Sequence, residues 1–178
     1  MSGPFSFRWL LAPADVDAGV RASLASCWME VANAGGAVGF PFIPVTFDEV
    51  ATRTDHLVQA LDPQTTRILV ALDRDELLGW LVLERNRSRL TSHWARVSRV
   101  QARLAHRGVG LGKELMEEVA RSARDDLGLE HLHLELRSGQ GLEGFYQSCG
   151  WREVGRWPAA LRLDVDDDRD EVLMLLEL

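Results

Sequence analysis

The chain has 178 residues, of which 46% are hydrophobic and 26% charged, a composition typical of one ordinary globular domain. Its formal net charge of −7 argues against a protein that coats nucleic acid, so we expect no nucleic-acid partner. No apolar run approaches the roughly 18 residues that span a bilayer, and the first residues do not have the pattern of a signal peptide. We therefore expect a cytoplasmic protein with no membrane partner.

Basic side chains are concentrated in one part of the sequence. Residues 85–113, here called the basic segment, contain no acidic residue and eight basic ones: Arg85, Arg87, Arg89, Arg96, Arg99, Arg103, Arg107 and Lys113. Since the whole chain has a net charge of −7, the remaining 149 residues carry −15. This asymmetry indicates a cationic surface for an anionic ligand in an otherwise acidic protein.

The first half of the sequence predicts a strand, two helices and three further strands. Residues 5–11 are apolar and extended in character, and Asp15 is a plausible cap for a helix that ends before Gly35. A second helix begins with a capping box, Thr46 and Glu49, and runs to residue 61. Three strand-like stretches follow, at residues 66–72, 77–85 and 93–102.

The second half continues with alternating helices and strands. A four-residue apolar repeat predicts a helix over residues 111–127, with Glu117 placed to pair with Arg121. The remaining elements are a strand at 131–137, a short helix at 142–148, a strand at 151–157, an acidic loop at 164–170 and a strand at 172–178.

The order β-α-α-β-β-β-α-β-α-β-β predicts an α/β (mixed α+β) fold in which helices flank both faces of a mixed sheet of six to seven strands. No repeat or linker divides the chain, so residues 1–178 are interpreted as one domain. Cys27 and Cys149 have no metal or disulfide spacing and are expected to be small buried apolar residues, and Trp94, Trp151 and Trp157 are expected in the core.

A glycine-rich turn connects the predicted strand 93–102 to the predicted helix that follows. Its residues Arg107, Gly108, Gly110, Gly112 and Lys113 lie where the unpaired N–H groups of a helix start attract an anion, and glycine allows close approach of a phosphate. The spacing fits neither the dinucleotide pattern GxGxxG nor the loop GxxxxGK with a following Ser or Thr. A phosphorylated ligand of another kind is therefore expected.

Two patterns, in order along the chain, resemble those of the GNAT superfamily of acyl-CoA-dependent N-acetyltransferases. Arg107, Gly110 and Gly112 match its pyrophosphate-binding turn, an Arg or Gln followed at fixed spacing by Gly and then Gly or Ala. Phe145 and Tyr146, with Gly150-Trp151, resemble its segment Phe-Tyr, three residues, Gly, then Phe or Trp. The resemblance extends over roughly residues 66–178 and implies a GNAT-type fold, with acetyl-CoA as co-substrate and no metal.

The resemblance also implies roles for individual residues. The strands 93–102 and 131–137 would run parallel and part, so that the pantetheine arm pairs with the backbone of the first strand, as an added strand does. Tyr146, the only tyrosine, would contact the cofactor and protonate the leaving thiolate, and Arg103 or another arginine of the basic segment would meet the remaining phosphate. The residues that would bind the cofactor are Val100, Gln101, Ala102, Arg107, Gly108, Val109, Gly110, Leu111, Gly112, Lys113 and Tyr146.

Attack by an amine requires that the amine lose a proton, and a carboxylate commonly accepts it. Glu84 and Glu135 are the candidates, although each also suits a surface ion pair, and His93 is a weaker one. His131, His133 and Glu135 have the spacing of metal ligands, but one face of one strand gives poor convergence on an ion.

The favoured interpretation is an enzyme that moves an acetyl group from acetyl-CoA to a primary amine of a small molecule, an amino acid or a protein. The alternative is a non-catalytic acyl-CoA-binding regulatory module, because Gly139 stands where the family often has an Asn that contacts the cofactor, with Ser138 or Gln140 as substitutes. A third interpretation, a structural or homodimer-forming domain, rests only on the six tryptophans. The sequence does not identify the acceptor.

Overall fold

A computed structural model describes residues 5–36, 38–40 and 42–178. The strands are β1 (Ser6–Leu10), β2 (Thr66–Asp73), β3 (Glu76–Arg85), β4 (Trp94–Ala102), β5 (His131–Arg137), β6 (Arg152–Asp164) and β7 (Asp167–Glu177). The helices are α1 (Ala18–Asn33), α2 (Phe47–Gln59), α3 (Leu111–Asp125) and α4 (Leu142–Ser148), with 3-10 turns at Pro13–Asp15 and Leu104–His106.

The strands form one seven-stranded sheet in the order β1-β2-β3-β4-β5-β7-β6. Every neighbouring pair is antiparallel except β4 and β5, which are parallel. The predicted element order and the mixed α/β class, with helices on both faces, are confirmed.

The alternation of side chains along the strands divides the core into two layers. Trp80 and Val82 of β3 pack with α1 and α2 on one face, and Leu81 and Leu83 pack with α3 and α4 on the other. Successive residues of a strand point to opposite faces, so a continuous apolar strand can contribute to both layers.

The helix starts follow ordinary capping chemistry, with one correction. The predicted capping box is present, since Thr46 accepts a hydrogen bond from the Glu49 N–H and the Glu49 carboxylate accepts one from the Thr46 N–H. The cap of α1 is Asp17, which accepts from the Val20 N–H at 2.8 Å, and not Asp15. The Asp15 carboxylate is already used by the backbone of the preceding turn, including the Leu11 N–H at 2.7 Å.

The predicted pair Glu117–Arg121 is not formed. Arg121 lies 2.7 Å from Glu118, while Lys113 lies 3.7 Å from Glu117. Carboxylates three and four residues away are both neighbours of a helical arginine, so spacing alone could not choose between them.

Residues 164–170 are not a solvated loop, because β6 and β7 continue into a tight hairpin there. Arg162 stands opposite Asp168 with a 2.7 Å ion pair, and Arg156 reaches Asp170 at 3.2 Å. Cross-strand pairs of opposite charge let this acidic stretch form strands.

Not all of the residues predicted to be buried are in the core. Cys27 and Trp151 are buried and Cys149 is partly exposed, while Trp157 is 66% exposed on β6. None of the helices in the described residues is long and apolar enough to cross a membrane.

Candidate active site

The parallel strands β4 and β5 part after a short contact. They pair from Trp94 with His131 to Arg96 with His133, and no further. Opposite β3, the register of β4 shifts between Ser98 and Gln101, and Arg99 in this bulge has a left-handed φ of 51°. A bulge bends a strand, so β4 turns away from β5 and leaves one backbone edge free.

A cavity of about 770 Å³, here called the large cavity, occupies the gap between these strands. It is bordered by the β4 edge, the glycine turn, α4 and the end of α1. The predicted site residues that line it are Val100, Gln101, Ala102, Arg107, Gly108, Gly110, Gly112, Lys113, Glu135 and Tyr146. The side chains of Val109 and Leu111 lie elsewhere, the first exposed and the second in the core.

The glycine turn has the backbone of an anion site. Gly110 is the N-terminal cap of α3 with φ 94°, no side chain caps the helix, and a Cβ atom there would meet nothing within 4 Å. Gly108 is also left-handed, at φ 77°. A Cβ on Gly112 would lie 3.1 Å from the Phe145 ring, so this glycine permits α3 to pack closely against α4. Uncapped N–H groups therefore lie beside open space, an arrangement that suits a phosphate.

Gln101 of β4 lines the large cavity, but its side-chain amide is buried away from the open space. Its side chain is 2% exposed, and neither amide atom has a hydrogen-bond partner in the described part of the chain. An unpaired buried amide costs free energy. Because neither amide atom is accessible, Gln101 would contact a ligand in the cavity through its backbone.

Tyr146 is held on the cavity wall by aromatic packing. Its ring meets Phe145 and Trp151 edge to face, with centroids 5.0 and 6.0 Å away. Burial raises the pKa of the Tyr146 phenol well above its usual value, and Cys149 adds a smaller effect in the same direction. At neutral pH the hydroxyl is therefore protonated and can act as a proton donor.

Glu135 of β5 lies on the wall of the large cavity, in a small charged cluster. The Arg96 Nε atom is 2.8 Å from one of its oxygens, and His133 Nδ1 is 3.7 Å from the other. Burial lowers the pKa of His133, although the Glu135 charge opposes this effect, and its Nε2 atom is buried with no partner among the described residues. Glu135 thus pairs with Arg96 at the wall of the large cavity.

Glu84 lies away from the large cavity. Its Oε2 atom accepts a hydrogen bond from Ser98 Oγ at 3.1 Å, and its side chain borders a second space of about 320 Å³, here called the small cavity, between α2 and the sheet. The structure therefore separates the two carboxylates that the sequence offered as equivalent. His93 is exposed, packs edge to face on His131 and lines neither cavity.

Within residues 5–36, 38–40 and 42–178, no group of three or more His, Cys, Asp or Glu side chains is arranged to hold a metal ion.

Arg103 pairs with the carboxylate of Glu30, whereas a phosphate was the expected partner. Its Nη1 atom is 2.9 Å from Glu30 of α1 and its Nε donates to the Leu77 carbonyl at 2.7 Å. Glu30 also accepts a hydrogen bond from the Leu104 N–H at 2.6 Å. This contact links α1 to the start of the glycine turn, and no sequence pattern indicated it because the partners are more than seventy residues apart.

A side chain at position 139 would require the Arg169 side chain to move. The φ of Gly139 is 83°, and a Cβ atom would come within 2.3 Å of Arg169. The Ser138 hydroxyl accepts from the Asp170 N–H at 2.9 Å, whereas Gln140 lines the large cavity and donates to the Gly35 carbonyl at 2.6 Å. Of the two predicted substitutes, only Gln140 borders the cavity.

A parted parallel strand pair beside an uncapped, glycine-rich helix start defines the class of acyl-CoA-dependent transferases. The acetyltransferase (GNAT) domain family matches residues 32–158, more than half of the chain. The chain therefore belongs to the GNAT acetyltransferase family.

Solved structures share the whole fold at low sequence identity. An acetyltransferase from Salmonella typhimurium, solved with acetyl-CoA, is 17% identical with a TM-score of 0.73 over 98% of this chain and 94% of that one. Ribosomal-protein-alanine N-acetyltransferase from Brucella melitensis is 16% identical, with a TM-score of 0.72 over 97% and 99% of the two chains. A protein described as a phosphinothricin N-acetyltransferase is 19% identical, with a TM-score of 0.75 over 97% and 99%.

Proposed function

We propose that residues 1–178 are a single acetyltransferase domain that moves the acetyl group of acetyl-CoA to a primary amine of a small molecule, an amino acid or a peptide. One observation carries this proposal: a single cavity joins the free edge of β4, the glycine turn and Tyr146. These are a surface for an extended amide-bearing chain, an anion site and a proton donor.

The residues of the glycine turn, from Arg107 to Lys113, would hold the pyrophosphate through backbone N–H groups and positive charge. Val100, Gln101 and Ala102 would bind the pantetheine arm. Arg99 and Val100 have no paired residue in β3, so the backbone of Val100 is outside the regular ladder and suited to contact the thioester oxygen. Bound acetyl-CoA supplies an activated thioester, and this chain supplies the positions of its phosphates and of its carbonyl group.

Glu135 is the carboxylate best placed to take the proton of the acceptor amine. An amine of the lysine type has a pKa of about 10.4 and is protonated at neutral pH, so it must lose a proton on its way to attack. Glu135 borders the large cavity and pairs with Arg96, whereas Glu84 borders the small cavity. Proton transfer through one water molecule is compatible with this placement.

Tyr146 would donate a proton to the leaving group. When the bond between the carbonyl carbon and sulfur breaks, the sulfur leaves as a thiolate, and the phenol donates its proton to that sulfur. With an ordinary pKa of about 10 a tyrosine is protonated at neutral pH, and burial raises the pKa of Tyr146 further, so this proton transfer requires the thiolate to form in direct contact with the hydroxyl.

Two variants test the proposal in separate steps. In calorimetry, the wild type should bind acetyl-CoA saturably, and Gly110→Asp should lose most of this affinity because a carboxylate enters the anion site. In a thiol-release assay, Tyr146→Phe should lower kcat roughly 10²-fold with little change in acetyl-CoA affinity, within the range for a general acid. Unchanged acetyl-CoA binding by Gly110→Asp would refute the cofactor site.

The alternative is a binding module of the same fold that keeps acyl-CoA without transferring its acyl group. The observation that favours it is Gly139, which has no side chain where the family often has an asparagine that contacts the cofactor. Saturable acetyl-CoA binding without thiol release across a broad panel of amines would support this alternative.

A further inference from the structure

Arg99 is the residue that the two cavities share. It stands at the bulge of β4 with φ 51°, a conformation that residues other than glycine rarely adopt. Its guanidinium lies over the Trp28 ring, 5.6 Å from the centroid. Arg99 lines both the large cavity and the small cavity, and the Trp28 ring under its guanidinium lines the small cavity.

The guanidinium of Arg99 has no carboxylate partner in the part of the chain that the structure describes. Its Nη1 atom donates to Ser98 Oγ at 3.3 Å, and its buried Nε has no partner among the described residues. Burial lowers the pKa of Arg99, because removing an unpaired charge from water costs free energy. By contrast, Arg96 pairs with Glu135 and Arg103 pairs with Glu30.

A second arginine faces the small cavity from α2. Arg53 stacks on the Phe40 ring at 4.5 Å and donates to the Gly39 carbonyl at 3.1 Å. Apart from burial, which lowers the pKa of Arg99, the charge of Glu84 raises it, while the charges of Arg96 and Arg53 lower it, so Arg53 and Arg99 repel each other and Glu84 offsets part of that repulsion. An anion between them would relieve this repulsion.

The small cavity also contains one carboxylate, that of Glu84, whose Oε2 atom accepts from the Ser98 hydroxyl. Two arginines and one glutamate leave a single positive charge on this wall, which suits a ligand group of charge −1. A planar carboxylate matches the fork of a guanidinium, and arginine is well suited to such recognition.

From this arrangement we infer that the acceptor carries a carboxylate, which Arg99 binds with the help of Arg53, while its amine enters the large cavity. The substrate class is therefore an amino acid or another small amine with a free carboxylate. This inference rests on the proposed function, because it identifies the acceptor of that same site. It makes Arg99 a residue that determines specificity and does not take part in proton transfer.

The test compares each of the common L-amino acids with its own carboxamide in the thiol-release assay. For the wild type, kcat/KM on at least one amino acid should exceed that on its amide roughly 10- to 100-fold, the usual effect of a charge-assisted hydrogen bond. Arg99→Gln should lower kcat/KM for the acid by the same factor and change that for the amide by less than about threefold. For Arg99→Lys, kcat/KM for the acid should lie between the values for the wild type and Arg99→Gln, because lysine keeps the positive charge but loses the two parallel N–H donors of the guanidinium.

Three readouts separate specificity from damage to the fold. The KM for acetyl-CoA should be unchanged in Arg99→Gln, and Arg8→Gln, at an exposed position outside the basic segment and both cavities, should behave as the wild type. The inference would be overturned if the wild type had an equal or higher kcat/KM on the amides than on the acids. It would also be overturned if Arg99→Gln lowered kcat/KM equally for acids and amides.

A binding measurement tests this inference independently of the proposed function. Thermal unfolding in millimolar amino acid, with coenzyme A present, should show a higher Tm for the wild type and no shift for Arg99→Gln. If no substrate releases thiol, the proposed function fails. The Arg99-dependent shift in Tm then tests the inference by itself.

Discussion

The Glu30 carboxylate of α1 accepts a hydrogen bond from the Leu104 N–H at 2.6 Å, and the two residues are 74 positions apart in the sequence. The same carboxylate lies 2.9 Å from Arg103, whose side chain is only 19% exposed. Leu104 begins the 3-10 turn that leads to Arg107, so this contact holds the entry to the glycine turn against α1.

Glu30→Ala should weaken acetyl-CoA binding although it touches no part of the proposed phosphate site. Loss of the carboxylate leaves Arg103 without its ion pair, and we expect the free energy of unfolding to fall by about 1–3 kcal/mol. The Kd for acetyl-CoA should rise roughly tenfold, while kcat at saturation changes little.

The control is Glu177→Ala, which removes the exposed ion pair of Glu177 with Arg152, 2.9 Å in length. A surface pair contributes about 0–1 kcal/mol, so this variant should keep wild-type affinity. Calorimetry and urea unfolding of both variants provide the comparison, and an unchanged Kd in Glu30→Ala would show that the contact does not position the turn.

Gly110 and Gly128 provide a matched pair for the anion site. Both have left-handed φ values, 94° and 62°, and a Cβ atom at either position would meet nothing within 4 Å. Alanine at either position should therefore lower the free energy of unfolding by a similar amount, about 1–2 kcal/mol. Only Gly110→Ala should weaken acetyl-CoA binding in calorimetry, because Gly128 follows the far end of α3. Equal affinities in the two variants would contradict the assignment of the phosphate site.

Patterns that depend on near neighbours predicted the fold well. The capping box at Thr46, the alternation of residues 131–137 and the glycine turn after β4 all act over a few positions, and each has the structure that the pattern indicates. The two closing strands were predicted, but their extension to Asp164 and from Asp167 was missed, because arginines on the opposite strand pair with these acidic residues and local composition does not determine strand register.

The candidate site was predicted in part for the same reason. The glycine turn and Tyr146 belong to short patterns, and the structure places both on the large cavity. The separation of Glu84 from Glu135, the exposure of Arg99 to two cavities and the contact of Glu30 with Leu104 depend on how distant elements pack. A bulge in one strand produces the position of Arg99, and no local signal in the sequence marked it.

The two candidate bases should differ in kinetics. Glu135→Gln should lower kcat/KM about 10²-fold or more, in the range for loss of a general base, because it removes the carboxylate on the wall of the large cavity. Glu84→Gln should have a smaller effect on kcat, since that side chain borders the small cavity. Steady-state rates with the best acceptor, together with acetyl-CoA affinity for each variant, would measure this. The reverse order of effects would assign the proton transfer to Glu84.

The burial of His133 predicts that stability depends on pH. Burial lowers its pKa in the folded protein, and the charge of Arg96 acts in the same direction, while Glu135 and Glu84 act in the opposite direction. The unfolded chain, with an ordinary histidine pKa of about 6.5, binds this proton more readily. The contribution of neutral His133 to stability is therefore complete above that value, and is lost as the pH falls through the lower pKa of the folded state.

Replacing His133 with a side chain that does not titrate should remove part of this dependence. Urea unfolding of His133→Gln at a series of pH values below neutrality should give a shallower loss of stability than the wild type. The matched control is His93→Gln, at an exposed position, which should keep the wild-type slope. If His133→Gln and the wild type lose stability in parallel as the pH falls, the neutral form of His133 does not contribute to folding, and the charged cluster around Glu135 must be reinterpreted.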